Sequence, residues 1–466
     1  MSRTIEVVNP RTGRVDHRFD APSSDDLARV AERLRLGQPA WESSDRAGAL
    51  NAWADAVETA RSDLVDVLVS DTGRLAESHM EVDAVYASLR RWASTGPQML
   101  EAEARRASMV PGVEVEQLSR PYQLVGVISP WNFPLLLSAI DAIPALVAGC
   151  AVVVKPSEIA PRFIDVLAST IPEGLPLAYV AGDGETGADL VDLVDLVCFT
   201  GSVPTGRRVA ERAAARFIPS FCELGGKDPA IVLASADIDH ASSAVLWGST
   251  ANAGQSCQSI ERVYVDASVA DRFVDELVAK ASKVELAVPD PSSGQIGPII
   301  APRQVEVIES HLRDAVQRGA TLLCGGTVER IDGGAYLRPT VLTGVDHTMK
   351  VMTEETFGPL MPVMTFASVD EAVALANATD YGLSAAVFGE EAEALDVARR
   401  LEAGAVSVND AALTALVHDA EKQSFKLSGL GGSRMGAASL RRFVRRQALL
   451  VADASRPDPW WFPHQR

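Results

Sequence analysis

Residues 196–214 read LVCFTGSVPTGRRVAERAA, and this stretch decides the fold. Its first five residues form an uninterrupted apolar run, which is typical of a strand buried on both faces of a parallel sheet. Gly201 and Ser202 follow, and then a helical pattern with Pro204 in its first turn, a position that proline favours. A strand that turns through a glycine into a helix directs backbone N–H groups towards an anion such as a phosphate. Gly201 and Gly206 do not complete a GxGxxG fingerprint, so this stretch alone is a weak indication of a nucleotide site.

The same alternation of apolar runs and helical patterns continues on both sides of this stretch and predicts a βαβ series. The further apolar runs are 151–155, 177–182, 229–234, 262–266, 321–326, 363–366, 385–389 and 405–410. Helical patterns cover 269–281, 303–318 and 369–376. We therefore expect an α/β fold with two Rossmann-like parallel-sheet domains, the second of which begins after about Gly225. Residues 23–74 predict an opening set of helices, and the period-two pattern of 113–125 predicts a half-exposed extended arm.

Length and composition restrict the class of protein. The chain has 466 residues, well above the ~150 of a typical domain, so two or more cores are expected. With 47% hydrophobic and 23% charged residues, it has the composition of a packed globular protein. Its net charge of −19 repels phosphate backbones and anionic lipids. We therefore expect neither nucleic acid nor a membrane as a partner.

The five cysteines are Cys150, Cys198, Cys222, Cys257 and Cys324. They are odd in number and lack a CxxC pair, which argues against a disulfide framework or a structural zinc site. The histidines are scattered, so no metal site is predicted. Neither a signal peptide nor an apolar span is recognisable, and we expect a cytoplasmic protein.

Cys257 is the candidate nucleophile. It lies in NAGQSCQSIERVYV, residues 252–265, where a helix gives way to a loop that runs into a strand. A thiol in such a loop can be exposed and reactive, whereas a cysteine in mid-strand, such as Cys198, is usually a small core residue. Because free cysteines are often merely buried, the assignment needs partner residues.

Two further residues could be those partners. Glu223 precedes two glycines in SFCELGGKDPAIV, and a carboxylate that can reach a water molecule is a candidate general base. The alternative is a solvent-exposed turn glutamate. Asn132 lies between Pro130 and Pro134, which could hold its amide rigidly as a donor to an oxyanion. The alternative is ordinary turn chemistry.

A second candidate cofactor loop is VVVKPSE, residues 152–158, which places Lys155 and Glu158 at the carboxyl end of a predicted strand. A carboxylate there can accept hydrogen bonds from ribose hydroxyls and would repel a 2′-phosphate. It therefore favours NAD over NADP. The alternative is a surface ion pair worth under ~1 kcal/mol.

Seven motifs between residues 130 and 388 together resemble the aldehyde dehydrogenase superfamily. In chain order they are PWNFPLL, VVVKPSE, FTGSVPTG, ELGGKDP, GQSC, EETFGP and ANATDYGLSAAVF. The helical segment 31–58 is also similar to the opening of that family, so the resemblance covers nearly the whole chain.

The resemblance implies an NAD(P)-dependent oxidation of an aldehyde to a carboxylic acid. It makes Cys257 the thiol that forms a thiohemiacetal and then a thioester, Glu223 the base that activates water, and Asn132 the oxyanion-stabilising amide. The implied cofactor contacts are Trp131, Lys155, Glu158, Gly201, Ser202, Gly206, Leu224, Glu355 and Phe357. Lys155 and Glu158 would contact the adenosine ribose and Ser202 the pyrophosphate, while Glu355 would bind the nicotinamide ribose. A CoA-acylating relative and a non-catalytic binding protein remain as alternatives.

The family also implies a division of the chain. An NAD(P)-binding domain would comprise 1–102 and 122–224, a catalytic domain 225–440, and an oligomerisation arm 103–121 and 441–466. The arm suggests a homodimer or a homotetramer.

The implied substrate tunnel is largely apolar. Its residues are Phe133, Leu136, Leu137, Ile140, Ser256 and Gln258. Where the family often has PFGGxKxSG, this chain reads EKQSFKLSG at 421–429, and only Lys426, Ser428 and Gly429 match. From the apolar wall we expect an apolar or aromatic aldehyde of medium size.

Overall fold

The structure is a computed structural model that describes residues 3–100 and 103–453. It opens with a β-hairpin, four helices and two strands of the arm. These elements are β1 (Arg3–Asn9), β2 (Arg14–Ala21), α1 (Ser24–Glu42), α2 (Arg46–Thr59), α3 (Arg61–Thr72), α4 (Ala76–Met99), β3 (Glu103–Ala107) and β4 (Val113–Pro121). Ser23 caps α1 in a reciprocal pair with Asp26. The predicted helical region 23–74 is confirmed, whereas the hairpin and α4 were not predicted.

A first α/β series follows. Its elements are β5 (Leu124–Ile128), α5 (Pro134–Ala148), β6 (Ala151–Lys155), α6 (Phe163–Thr170), β7 (Leu177–Tyr179), α7 (Gly184–Leu193), β8 (Leu196–Thr200), α8 (Val203–Ala215) and β9 (Ser220–Glu223). The strands β5, β6, β7, β8 and β9 are all parallel in the sheet.

A second α/β series completes the chain and returns to the arm. Its first half contains β10 (Asp228–Val232), α9 (Ile238–Thr250), β11 (Ile260–Asp266), α10 (Ala270–Ala281), α11 (Pro302–Gln317), β12 (Thr321–Cys324), β13 (Val328–Ile331), β14 (Gly334–Leu337), β15 (Thr340–Thr343) and α12 (Lys350–Thr353). Its second half contains β16 (Leu360–Phe366), α13 (Val369–Asn377), β17 (Tyr381–Gly382), β18 (Ser384–Phe388), α14 (Glu391–Ala398), β19 (Ala405–Val408), α15 (Leu413–Leu416), β20 (Phe425–Lys426), β21 (Gly429–Leu430), α16 (Ala438–Arg441) and β22 (Val444–Ala452).

Two large sheets give the chain the predicted α/β class. The first has the order β21-β9-β8-β5-β6-β7, with β21 antiparallel at its edge, and the second has the order β12-β15-β16-β11-β10-β18-β19. In the first sheet the chain runs outward from β5 to β7 and then returns to the other side of β5 with β8. Such a reversal of strand order opens a crevice at the carboxyl ends of the strands, where ligands bind in α/β proteins.

The prediction of buried apolar strands is confirmed for the central strands, whereas the edge strands β7, β12 and β19 are only partly buried or exposed. β6, β8, β10 and β18 are buried along their whole lengths. The run at 321–326 instead gives β12, which is antiparallel to β15 at the edge of the second sheet and leaves Leu322 and Leu323 exposed. An edge strand lacks a neighbour on one side, so an apolar run there need not be buried.

A third sheet, of order β22-β4-β3, is antiparallel and largely solvent-exposed. Its strand β4 covers residues 113–121 of the predicted segment 113–125, whereas Leu124 and Val125 belong to β5, a buried strand of the first sheet. The strand β22 belongs to the later part of the predicted arm. Residues 1–2, 101–102 and 454–466 of the proposed domain and arm ranges lie outside the described residues. Within the part of the chain that the structure describes, no helix combines the length and apolarity needed to span a bilayer.

Candidate active site

Cys257 follows a strained turn. In the 3-10 segment Ala251–Gly254, Asn252 and Ala253 have φ values of 54° and 55°, in the left-handed region that residues other than glycine rarely adopt. Such strain costs on the order of 1–3 kcal/mol per residue and persists only where the surroundings enforce it. The backbone N–H of Asn252 donates to Glu77 Oε1 at 3.0 Å, so α4 is one of those surroundings.

Gln255 holds the loop that carries the thiol. Its fully buried side-chain Nε2 donates to the carbonyl oxygens of Asn252 and Pro298, at 3.0 and 3.2 Å. Its Oε1 accepts from the backbone N–H of Ile300 at 2.8 Å. All three groups of the amide are therefore used to fix the backbone two residues before Cys257.

Asn132 is tied to the same loop, as its proposed role requires. Its side-chain Nδ2 donates to the backbone carbonyl oxygen of Gln255 at 3.0 Å. Its backbone carbonyl oxygen accepts from Asn252 Nδ2, also at 3.0 Å. A primary amide has two N–H donors. One can fix the side chain against the loop while the other serves an oxyanion beside the thiol.

Glu223 stands at the end of β9, where its backbone is held on two sides. The N–H of Gly201 donates to its carbonyl at 3.1 Å, and Glu223 pairs with Gly429 in β21. The two glycines that follow, Gly225 and Gly226, allow neighbouring segments to approach the backbone closely. A Cβ on Gly226 would stand 2.3 Å from the carbonyl oxygen of Cys257, and one on Gly225 would stand 2.5 Å from the carboxylate of Glu355.

The electrostatic surroundings keep the thiol protonated. Burial, followed by the negative charges of Glu223, Asp228 and Glu355, raises the pKa of Cys257 to about 12. Burial and then Glu261 raise the pKa of Glu355 itself to about 8. Because the thiolate is the nucleophilic form, activation of Cys257 requires either the loss of a nearby negative charge or the arrival of a positive one.

One cavity of about 1030 Å³ joins the predicted catalytic and tunnel residues. Those that line it are Asn132, Phe133, Leu136, Leu137, Ile140, Glu223, Ser256, Cys257 and Gln258. Phe133 packs beneath the guanidinium of Arg74, which lies 4.5 Å from the ring centroid. The exposed side chains of Met80, Trp247 and Leu416 also line the cavity, so it is open to solvent beside apolar groups.

Lys155 and Glu158 lie at the carboxyl end of β6, as predicted. Lys155 Nζ donates to the carbonyl of Gly182 at 2.9 Å and lies 3.4 Å from Glu158 Oε2. Glu158 remains partly exposed, so its carboxylate is accessible to a ribose.

The loop from Gly201 to Gly206 also fits a nucleotide. Ser202 is the N-cap of α8, its side chain makes no capping hydrogen bond to the backbone, and the residue is exposed. The first N–H groups of a helix lack partners within the helix and suit a pyrophosphate. A Cβ on Gly206 would lie 2.4 Å from Leu224, so glycine lets this predicted cofactor contact pack against the helix.

Three of the remaining predicted cofactor residues, Trp131, Glu355 and Phe357, make defined contacts. The rings of Trp131 and Phe357 make an edge contact with centroids 5.5 Å apart. Glu355 Oε1 accepts from the backbone N–H of Gly226 at 3.0 Å, which links it to the glycines after Glu223.

Glu261 was not predicted. It holds the backbone of the loop that contains Glu355 and Phe357. Its carboxylate accepts from the backbone N–H groups of Thr356 and Phe357, both at 2.7 Å, and pairs with Lys227 Nζ at 2.7 Å. Glu261 belongs to the buried strand β11, and a charged residue within an apolar strand was the available signal.

The two halves of the segment 421–429, the one that matches the family motif and the one that differs, make different contacts. In the half that matches the family, Lys426 pairs with Glu402 at 2.6 Å, and Ser428 Oγ accepts from the N–H of Gly382 at 2.9 Å. In the changed half, Lys422 lines the cavity and its Nζ donates to the carbonyl of Thr414 at 2.5 Å.

Arg434, also not predicted, lines the cavity and pairs with the buried Asp141 at 2.8 Å. Arg442 binds the other oxygen of the same carboxylate. This network ties the segment after β21 to α5, the helix that carries the apolar tunnel wall.

Residues 1–449 match the profile of the aldehyde dehydrogenase family. A Mycolicibacterium smegmatis protein whose name proposes succinate-semialdehyde dehydrogenase activity with NADP+ is 36% identical, over 98% of this chain and 90% of its own length. A solved chain from Anabaena variabilis, provisionally named the aldehyde dehydrogenase PutA, is 56% identical with a TM-score of 0.97, covering 99% and 100% of the two chains. Betaine aldehyde dehydrogenase from Staphylococcus aureus, solved with NAD+, is 30% identical with a TM-score of 0.91, covering 99% and 94%.

Proposed function

The chain belongs to the aldehyde dehydrogenase family, and we propose that Cys257, Glu223 and Asn132 are the residues that carry the family's reaction here. The observation that supports this most directly is that all three line one open cavity. Three residues of the chemically required types, brought together from separate segments, are difficult to explain as turn or core residues.

The first half of the reaction is nucleophilic attack. The thiolate of Cys257 adds to the carbonyl carbon of the aldehyde, and the carbonyl oxygen becomes the oxyanion of a thiohemiacetal. The Asn132 amide and the backbone N–H of Cys257 would hold that oxyanion, each such donor being worth ~3 kcal/mol or more. NAD(P)+, when bound, supplies the hydride acceptor, and Cys257 is left as a thioester.

The second half is hydrolysis. Glu223 takes a proton from a water molecule, the resulting hydroxide adds to the thioester carbon, and the C–S bond breaks. The acid leaves and the thiol of Cys257 is restored. A water-activating carboxylate is not needed by an enzyme that passes its acyl group to coenzyme A, so Glu223 favours free acid as the product.

The test is the Cys257→Ala variant. We expect it to lose NAD(P)H formation and any esterase activity while retaining its fold. Cys324→Ala is the matched control, because Cys324 lies on the edge strand β12 and does not line the cavity. Retained turnover in Cys257→Ala would overturn the proposal, as would CoA-dependent product formation by an otherwise idle wild-type enzyme. Failure of the wild type to oxidise any aldehyde with either cofactor would favour a non-catalytic role.

For the cofactor we propose NAD rather than NADP. The support is the partly exposed carboxylate of Glu158 at the end of β6, where it would accept from ribose hydroxyls and repel a 2′-phosphate. The relatives differ in this respect, since one is named for NADP+ and another was solved with NAD+. Comparison of kcat/KM for the two cofactors tests this directly.

For the substrate, the apolar wall formed by Phe133, Leu136, Leu137 and Ile140 supports an apolar or aromatic body of medium size. The names of the relatives add succinate semialdehyde and betaine aldehyde to the aldehydes worth testing. A panel of aliphatic, aromatic and charged aldehydes with each cofactor ranks these possibilities.

We also retain three organisational proposals. The chain divides into a cofactor domain, a catalytic domain and an arm at the boundaries predicted from the sequence, and the protein works in the cytoplasm. The arm sheet β22-β4-β3 would join copies into a homodimer or a homotetramer. Leu449, Leu450 and Val451 of the edge strand β22 are exposed, as an interface between copies would require. Light scattering of wild type and of Leu450→Lys tests the arm.

A further inference from the structure

Three basic side chains line one cavity with the catalytic residues but belong to neither the catalytic nor the cofactor set. They are Arg91, from α4, and His418 and Lys422, from the segment after α15. The protein as a whole carries a net charge of −19, so a basic group here is a local exception. Each residue is half-buried and therefore open to a ligand in the cavity.

Lys422 belongs to the changed half of the segment 421–429 and lines the cavity. An ammonium group has three N–H donors, and one of those of Lys422 is directed to the carbonyl of Thr414. Among residues 3–100 and 103–453, no carboxylate lies within ion-pairing distance of its Nζ. Burial lowers its pKa, and the negative charge of Glu223 is the largest of the effects that oppose this shift. The backbone is fixed by a 3.0 Å bond from the N–H of Lys422 to Ser433 Oγ.

Arg91 is likewise without a carboxylate partner among the described residues. Its guanidinium carbon lies 5.7 Å from the ring centroid of Trp92, and burial lowers its pKa. The adjacent Arg90 is different, because it binds Asn51 at 2.8 Å and also pairs with Asp55.

The other cations of the cavity differ, because each is bound to a carboxylate. Arg74 pairs with Glu81 at 2.7 Å, Lys280 with Asp239 at 2.8 Å and Arg434 with Asp141 at 2.8 Å. Arg434 shares its carboxylate, that of Asp141, with Arg442.

His418 lines the same cavity as the two unpaired cations. Burial lowers its pKa, Arg91 and Lys422 lower it further, and only Asp419 opposes them. A neutral imidazole offers one N–H donor. Its Nδ1 lies 3.3 Å from the sulfur of Met435. The other charged groups facing the cavity are Glu223 and Glu77, the second of which is already bonded to the Asn252 backbone.

Two half-buried cations without carboxylate partners are costly, and a bound anion offsets that cost. We propose that the cavity binds an aldehyde with an apolar or aromatic body and a carboxylate at its far end, which Arg91, His418 and Lys422 hold. The proposal rests on the proposed function, because it names the substrate class of the same site. The apolar wall of α5 would contact the body, and a cationic aldehyde would be repelled.

Three para-substituted benzaldehydes of similar size test the proposal with wild-type enzyme and cofactor. They are 4-formylbenzoate, its methyl ester and 4-(trimethylammonio)benzaldehyde. We expect kcat/KM for 4-formylbenzoate to exceed that for the ester by at least about tenfold, mainly through KM, and the cation to be the poorest substrate. Equal or better use of the ester or the cation would overturn the proposal.

Variants locate the effect. In Arg91→Met and Lys422→Met we expect the preference for the carboxylate over the ester to fall several-fold through a higher KM for the carboxylate. Arg90→Met is the matched control, since Arg90 does not line the cavity, and its preference should equal that of wild type. Lys422→Arg should retain the preference. An unchanged preference in both Met variants would overturn the assignment of these residues.

A binding measurement separates this proposal from the proposed function. Terephthalate, a non-reacting dicarboxylate, should bind the wild type more tightly than Lys422→Met by calorimetry, whether or not turnover occurs. Equal binding would contradict the anion site. Loss of all aldehyde oxidation with terephthalate binding intact would instead contradict the proposed function alone.

Discussion

The carbonyl oxygen of Cys257 lies 2.3 Å from the point where a Cβ on Gly226 would stand. That distance is far inside van der Waals contact, so only glycine allows the segment after Glu223 to pass beside the thiol loop. Gly226 has no left-handed backbone, and its role is space rather than flexibility. The base-bearing and thiol-bearing segments are therefore positioned against each other.

Gly226→Ala should lower kcat by about 100-fold, because a displacement on the order of 1 Å of a reacting group can cost that much. The added methyl must push the Cys257 backbone or the side chain of Asp228 aside. Gly184→Ala is the control, since a Cβ there meets nothing within 4 Å. Steady-state kinetics measures kcat of both variants, and circular dichroism checks that they are folded. Full activity in Gly226→Ala would show that the thiol loop can move without loss of catalysis.

Glu223→Gln should make the thiol more reactive even though it removes the proposed base. Removal of a negative charge that raises the pKa of Cys257 must lower that pKa. At a given pH below the pKa, more thiolate is then present. The rate of alkylation by iodoacetamide between pH 7 and 10, with peptide mapping to Cys257, measures this. An unchanged pH profile would show that Glu223 does not act on the thiol.

Glu158→Gln should raise kcat/KM for NADP relative to NAD by about tenfold, equivalent to 1.4 kcal/mol. Loss of the carboxylate removes repulsion of a 2′-phosphate and weakens the contact to ribose hydroxyls. Glu173→Gln, an exposed glutamate outside the elements that carry the predicted cofactor contacts, should leave the ratio unchanged. A wild type that already prefers NADP would contradict the role given to Glu158.

Asp141→Asn should destabilise the fold by about 3–5 kcal/mol, because it leaves Arg434 and Arg442 as buried cations without their shared carboxylate. Asp192→Asn breaks an exposed pair with Arg212, and should cost under ~1 kcal/mol. Urea unfolding of the two variants and wild type compares these values. Similar small losses in both would show that the network is not needed for stability.

The sequence predicted the fold best where a local pattern is sufficient. The apolar run 151–155 coincides with β6, and the run 196–201 contains β8, because strands buried on both faces need continuous apolar residues. The small strand β9 was not predicted, since its SFCE sequence has neither a long run nor a clear alternation. Yet β9 is the element that carries Glu223.

The candidate catalytic residues could be predicted from their residue types, whereas the residues that hold them in place could not. Cys257, Glu223 and Asn132 are the chemically reactive members of their motifs. Glu261, and Gln255 within GQSC, instead act through contacts with segments distant in sequence. Gln255 binds the backbone of Ile300, and Glu261 binds that of Phe357. Such pairings depend on how segments distant in sequence pack within the second α/β series, and no local pattern encodes them.

The central claim is that Cys257 carries an acyl group that Glu223 releases. Intact-mass and peptide mass spectrometry of Glu223→Gln, incubated with an aldehyde and NAD, tests it most directly. The account predicts one acyl adduct per chain, located on Cys257, together with a single stoichiometric release of NADH. Wild type under the same conditions should turn over with little adduct. Sustained turnover by Glu223→Gln, or an adduct on another residue, would contradict the account.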